Sequence, residues 1–225
     1  MNSAKQVHPL CGVIFDLDGV IVDSHPVHKQ AWKTFLLSVG KNVSDDDLQF
    51  ILEGTKRDDI LRHFLGSLTD KQLVEYGKCK DAAFYALGHE IRAIDGVLDF
   101  ITHLESANVP LAIGSSARRQ RVEYTLEQLQ LKRRFEVIIT GDDVTNGKPD
   151  PTIFRMAAKD WSAPSSCILV CEDSVNGVTA AKNAGMKCLC IAEKKREDHL
   201  RMAGADKIIP DFTAASFNDV LALRL

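Results

Sequence analysis

The sequence predicts an α/β protein, a parallel-sheet core interrupted by a helical insertion. Three observations predict it. The run Val13-Ile14-Phe15 carries no polar residue and stops at Asp16-Leu17-Asp18-Gly19, as a buried strand does where it meets a turn. Residues from about 25 to 90 place apolar side chains at spacings of three and four, with no clear strand. From about residue 91, short apolar runs alternate with helical stretches, the signature of a parallel sheet with helices on both faces.

Taken in order, the first strand lies at VIF, and the insertion follows at once. Its apolar positions group as Ala31, Trp32, Phe35 and Leu36, then Leu48, Ile51 and Leu52, then Ile60, Leu61, Phe64 and Leu65. Gly40, Gly54, Gly66 and Gly88 punctuate them, which gives three or four short helices. Five further strands are expected within VPLAIGSS at 109–116, FEVIITGDD at 135–143, SCILVCEDS at 166–174, MKCLCIA at 186–192 and ADKIIP at 205–210. The division that follows assigns 1–24 and 91–225 to the core and 25–90 to the insertion. The mixed run Glu193-Lys194-Lys195-Arg196-Glu197-Asp198 reads as a solvated loop or helix start.

Composition narrows the function. With 225 residues, 45% hydrophobic and 26% charged, the chain can bury one core plus a small second unit. A net charge of -3 gives no electrostatic case for nucleic acid or an anionic membrane as partner. No apolar run approaches the ~20 residues that span a bilayer. MNSAKQVHPLCG lacks the apolar core of a secretory signal. The six cysteines include no CxxC pair, and Cys167, Cys171, Cys188 and Cys190 fall in or beside strands, where buried thiols are expected. A reduced, cytoplasmic setting and a monomer are the expectations.

The chemistry sits at strand ends. Two acids one residue apart, directly after a buried strand, are costly unless something compensates them. In parallel sheets the ligand crevice lies beyond the C-terminal strand ends. Asp16 and Asp18, Ser115 and Ser116, Lys148 in GKPD, and Glu172 with Asp173 all fall there. Carboxylates without His or Cys ligands suit a hard cation, and Mg²⁺ takes a few carboxylates while keeping waters. A lysine and a hydroxyl aimed at the same point imply an anionic, many-oxygened substrate, which means phosphoryl. Asp16 can then act as nucleophile, and Asp18 can protonate the leaving oxygen and later activate water. Alone, each piece has a plainer reading: DxD as a turn cap, Ser115 as a helix N-cap, Lys148 as a turn lysine. An EF-hand fails, because Gly19 comes fourth and position 27 is Val. Jointly, each after its own strand, these residues favour the site.

FDLDGVIVDS, the strand-end GSS, GKPDP and LVCEDSVNGVTAAKNAGM together resemble the haloacid dehalogenase superfamily, in the branch with a helical cap after the first strand. The resemblance implies a Rossmann-like parallel-sheet core with an inserted small helical cap domain, a Mg²⁺ ion and an aspartyl-phosphate intermediate. It implies Asp16 as nucleophile, Asp18 as acid/base with its main-chain carbonyl on Mg²⁺, Ser115, Ser116 and Lys148 on the phosphoryl group, and Glu172 and Asp173 at the metal. The superfamily's dehalogenases generally lack the second aspartate, so Asp18 argues for phosphoryl transfer.

Within that branch the chain is similar to β-phosphoglucomutases and sugar-phosphate phosphatases. His28-Lys29-Gln30-Ala31-Trp32 resembles the start of the mutase cap, and Arg57 falls at the position that meets a second phosphate. Lys80 falls where such caps carry a substrate-facing lysine, and Arg118 and Arg119 occupy a distal loop. Glu53 stands where mutases usually have lysine, and Ala117-Arg118-Arg119 replaces a Ser-Lys-Asn type of stretch. Arg118, Arg119 and Arg121 have solvent-facing positions on the next helix as their plainer reading. The expected activity is Mg²⁺-dependent hydrolysis of a small phosphate monoester such as a phosphosugar, the partner being a small phosphorylated metabolite. A β-phosphoglucomutase is the alternative, and a pyrophosphatase is a further one. A receiver-type phosphoprotein is shorter and carries neither the second aspartate nor the insertion.

Overall fold

The computed structural model describes residues 10–87 and 91–221; Gly88 and the N-terminal stretch as far as Pro9 lie outside them. Six parallel strands form one sheet in the order β5-β4-β1-β6-β7-β8. They are β1 (Gly12–Phe15), β4 (Leu111–Gly114), β5 (Val137–Ile139), β6 (Ile168–Glu172), β7 (Lys187–Ile191) and β8 (Lys207–Ile209), one in each expected window. The first strand is central, between β4 and β6, with Phe15 opposite Ile113 on one side and Cys171 on the other.

Strand alternation fills two layers. Val13 and Phe15 face a cluster with Phe100, Ile101 and Leu104 of α4 (Val97–Ser106) and Val122 and Leu126 of α5 (Arg119–Gln128). Ile14 faces the other way, onto Ile153 and Phe154 of α6 (Thr152–Ala157), Val178 and Ala181 of α7 (Val175–Asn183) and Leu200 of α8 (Glu197–Ala203). A short α9 (Phe217–Leu221) returns to the first layer through Val220.

Between β1 and α4 the chain forms α1 (His25–Ser38), a 3₁₀ turn (Asp47–Leu52), α2 (Arg57–Leu65) and α3 (Asp70–Ala86). These helices bury Trp32, Phe35, Leu36, Leu48, Leu61 and Phe64 against one another, in a cluster separate from both faces of the sheet. α3 begins with a capping box, Thr69 and Gln72 satisfying each other's backbone N–H. The chain leaves and re-enters the core through an antiparallel pair, β2 (Val22–Asp23) and β3 (Arg92–Ala93). Among the described residues no helix is long and apolar enough to cross a membrane.

One expectation is corrected. Cys167 is bonded to Cys11 rather than being a free thiol, with Cα atoms 5.3 Å apart. The register explains it: Gly12 pairs with Ile168, so the residues just before them, 11 and 167, face each other across adjacent strands. Cys171, Cys188 and Cys190 are buried thiols, and Cys79 is exposed.

Candidate active site

Four strand ends converge below the helical insertion. Asp16 and Asp18 follow β1, Ser115 and Ser116 follow β4, Lys148 follows β5, and Glu172 and Asp173 close β6. One pocket is lined by Asp16, Asp18, Ser115, Ser116 and Asp173 from below and by His28, Arg57 and Lys80 from above.

Every acid of the site is paired with a cation, and Asp16 and Glu172 share one. Lys148 Nζ donates to Asp16 Oδ1 and Glu172 Oε1, both at 2.5 Å, and stacks over the Phe154 ring. The other Glu172 oxygen accepts from the backbone N–H of Asp173 and Ser174 and from the Ser174 hydroxyl. Asp18 accepts from Ser24 Oγ at 2.6 Å and from two nitrogens of Arg121, at 2.8 and 2.5 Å. Asp173 Oδ2 meets His25 at 3.1 Å and Arg196 at 3.2 Å. Gly19 makes that crowding possible: its φ is +72°, and a Cβ there would lie 2.5 Å from Asp173 Oδ2.

The environments separate the two aspartates. Burial, joined by the charges of Glu172, Asp18 and Asp173, outweighs Lys148 and pushes the Asp16 carboxyl up to about 8. Burial works the same way on Asp18, but Arg121 and His28 overcome it and hold that carboxyl well below the usual carboxylate range. His28 is pushed down to about 3 by burial and by Lys80. Lys80 Nζ lies 3.3 Å from His28 Nδ1 and, in its ammonium form, has no acceptor and donates there. The neutral imidazole therefore carries its proton on Nε2 and donates it to Asp18 Oδ1, 3.2 Å away.

The upper wall differs from expectation in three places. Lys80 lines the pocket but is largely buried between Trp32 and Phe84, with its ammonium on His28. Arg57 lines the pocket but is tied to Asp81 at 2.5 Å and to Asp58 at 3.2 Å. Arg119 does not line the pocket; its guanidinium binds Asp143 and the Ile138 carbonyl, so the structure does not bring it to the substrate side. Arg118 does line the pocket, within 4 Å of Asp58 and Asp142. Ser116 lines it as well, but its hydroxyl donates to the Gly54 carbonyl at 2.7 Å.

The loop before α2 is seated on the core. Lys56 Nζ donates to the Val144 carbonyl at 2.9 Å, and Asn176 donates to Thr55 Oγ1 at 3.3 Å. Gly54, at φ +73°, approaches Ser174 so closely that a Cβ would lie 2.4 Å from its hydroxyl.

Three residues escaped the sequence reading: His25, Arg121 and Arg196. Arg196 sits in the charge run expected to be solvated, yet it touches Asp173 and the Leu52 carbonyl. Arg121 shares the buried face of α5 with Val122, Thr125 and Leu126, and its place one before Val122 and four before Thr125 is the signal that could have found it.

Comparison with known proteins decides the family. A model of the haloacid dehalogenase-like hydrolase family matches residues 13–191. The chain belongs to that family. It is 29% identical to validoxylamine A 7'-phosphate phosphatase of Streptomyces hygroscopicus subsp. limoneus, over 89% of this chain and 93% of that protein. It is also 29% identical to the phosphorylated carbohydrates phosphatase of Thermotoga maritima, over 78% of this chain and 82% of the relative. Among solved structures, β-phosphoglucomutase from Clostridium difficile superposes with a TM-score of 0.83, covering 94% and 95% of the two chains at 23% identity, which speaks for the fold.

Proposed function

We propose that the chain is a phosphatase of small phosphorylated sugars, working through an aspartyl-phosphate on Asp16. One observation carries the reading: Asp16 and Asp18, two residues apart at the end of the central strand, share one pocket with Ser115, and Lys148 is bonded directly to Asp16. Phosphatases of phosphorylated carbohydrates among the relatives support it.

Asp16, as a carboxylate, bonds to phosphorus while the ester oxygen leaves with a proton from Asp18 in its protonated form, which the negative charge of a bound phosphoryl group favours. Asp18 then takes a proton from water, whose oxygen bonds to phosphorus and returns Asp16 to a carboxylate. Lys148 and Ser115 stand where the phosphoryl oxygens gain charge.

The donors fit a Mg²⁺ ion. Asp16 Oδ2 and Asp173 Oδ1 carry no hydrogen bond among the described residues, and Gly19 leaves room beside Asp173 that a side chain would fill. Asp16, Asp173 and the Asp18 carbonyl would hold the ion, with Glu172 orienting Asp173 through its backbone N–H. Its charge would offset the acids that push Asp16 upward and would neutralise the phosphoryl oxygens. Lys148, Arg121, His25 and Arg196 hold these carboxylates in ion pairs, and an ion bound there would share them.

In this reading residues 25–90 act as a cap, consistent with their separate core. Arg57 favours hydrolase over mutase: its guanidinium is already neutralised by Asp58 and Asp81, which suits a neighbour rich in hydroxyls better than a second phosphate. The test is a panel of phosphosugars, nucleotides and pyrophosphate, following phosphate release beside conversion of β-glucose 1-phosphate to glucose 6-phosphate. Hydrolysis of a sugar phosphate that Asp16→Asn abolishes is expected. Isomerisation without phosphate release, or activity surviving in Asp16→Asn, sinks the reading.

A further inference from the structure

We propose that Arg121 is a positioning residue that orients the Asp18 carboxylate toward the water attacking phosphorylated Asp16, and so commits the phosphoenzyme to hydrolysis; this rests on the phosphatase reading. The geometry separates Arg121 from the other partners of Asp18. Ser24 and His28 both bind Oδ1, and among the described residues Arg121 alone binds Oδ2. A carboxylate held by one oxygen can turn about its bond, whereas two parallel N–H···O contacts fix its plane.

The three partners also come from different parts of the molecule. His28 belongs to α1 of the helical insertion and Ser24 directly precedes that helix, while Arg121 belongs to α5 of the core. If the insertion lifts to exchange substrate and product, the fork remains on Asp18. When the insertion is seated, Phe84 of α3 lies 5.2 Å from the Arg121 guanidinium and covers it. Arg121 is only 8% exposed, and a guanidinium buried that deeply is costly unless its donors are used.

The step it serves is balanced. Water gives a proton to Asp18, its oxygen bonds to phosphorus, and the phosphorus–oxygen bond to Asp16 breaks with its electron pair returning to that carboxylate. Inorganic phosphate leaves. Phosphorylation of Asp16 by acetyl phosphate needs little help from Asp18, because that leaving group needs little protonation. Losing the fork therefore lengthens the life of the phosphoenzyme more than it slows its formation.

The experiment loads the purified protein with acetyl phosphate, removes the donor and follows decay of the phosphoenzyme. Arg121→Gln is expected to load Asp16 within about threefold of the wild-type rate. It should then hold the phosphoryl group roughly ten- to a hundredfold longer, part of the roughly 10²–10⁴ that a general base supplies. Arg121→Lys, which keeps the charge but not the fork, should fall between, and it carries the test if Arg121→Gln does not fold. In a double-mutant cycle, Asp18→Asn with Arg121→Gln should decay no more slowly than Asp18→Asn alone. An unchanged lifetime in a folded variant, a further slowing in the double variant, or a raised KM for a sugar phosphate at unchanged lifetime overturns the assignment. Wild-type protein that neither hydrolyses a sugar phosphate nor takes up label overturns the phosphatase reading and this assignment together; labelled wild type with unaltered variants overturns this assignment alone.

Discussion

The floor and roof of the pocket are both built from ion pairs, yet they are built differently. On the floor the partners come from distant strands: Lys148 reaches Asp16 across 132 positions and Glu172 across 24. Sheet register fixes them, and burial makes each charge depend on the others. On the roof Arg57 meets Asp58, its neighbour in sequence, and Asp81 on the next helix. Those roof carboxylates keep 33% and 21% of their side-chain surface, so they can exchange partners with an incoming hydroxyl. A rigid, desolvated floor suits chemistry common to many substrates, and a wetter roof suits discrimination among them.

The largest break in that contrast comes from the floor. Lys148→Ala leaves Asp16 and Glu172 facing each other in a buried site. We expect kcat/KM to fall by roughly 10³-fold or more, and stability at pH 7 to drop by about 3 kcal/mol. The sign of the pH dependence follows from the same acids. Burial and the neighbouring acids already hold Asp16 above its usual range, and losing the lysine raises it further, so the folded state binds more protons than the unfolded one and the variant regains stability as pH falls toward 5. Urea titrations at pH 5 and 7 measure it. A loss that stays constant with pH means the two acids are not the source.

Leu61→Ala asks whether the roof is a separate unit. Leu61 is fully buried in the cluster of Trp32, Phe35 and Phe64, which does not touch the sheet faces. The cavity should cost about 2–5 kcal/mol. If 25–90 is a cap domain, hydrogen exchange should speed up in α1–α3 and leave β1, β4 and β6 protected. Uniform acceleration across the chain would show one cooperative unit instead.

This contrast also marks what the sequence made legible. All six core strands were readable, and so was the clustering of acids, serines and a lysine at their ends, because each polar group directly follows an apolar run and the parallel sheet gathers such ends. The central place of β1 was not readable, since pairing order depends on crossovers that local pattern does not encode. Lys80, Arg119 and Arg121 show where side-chain reading ran out. All three are long cations on helices, and which face is buried depends on neighbours remote in sequence. Lys80 went to His28, Arg119 to Asp143, and Arg121 to Asp18.

Arg57→Ala tests discrimination directly. Loss of a charge-assisted contact worth on the order of 1.5–3 kcal/mol should lower kcat/KM for the best sugar phosphate roughly ten- to a hundredfold. Acetyl phosphate, too small to reach the roof, should be turned over within about threefold of wild type. Equal losses on both would make Arg57 a brace between α2 and α3, a role its packing against Gly77 also permits.

The smallest effect sharpens the comparison most, because Lys80 is a roof residue buried like one of the floor. Burial, with Arg121 nearby, pushes its ammonium down to about 7. The unfolded chain titrates near 10.5, so between pH 7 and 10.5 the unfolded state binds more protons and stability rises with pH. Below about 7 both states are charged and the full cost of burying the ammonium is present. Lys80→Met removes that cost and also leaves His28 Nδ1 without its donor, so the two effects oppose each other. The net gain should be about 1 kcal/mol at pH 6 and should shrink or reverse by pH 9. Thermal melts of both proteins at the two pH values give the difference. A gain independent of pH would place the lysine's cost in packing rather than in its charge, and would make the Lys80–His28 pair an ordinary roof contact.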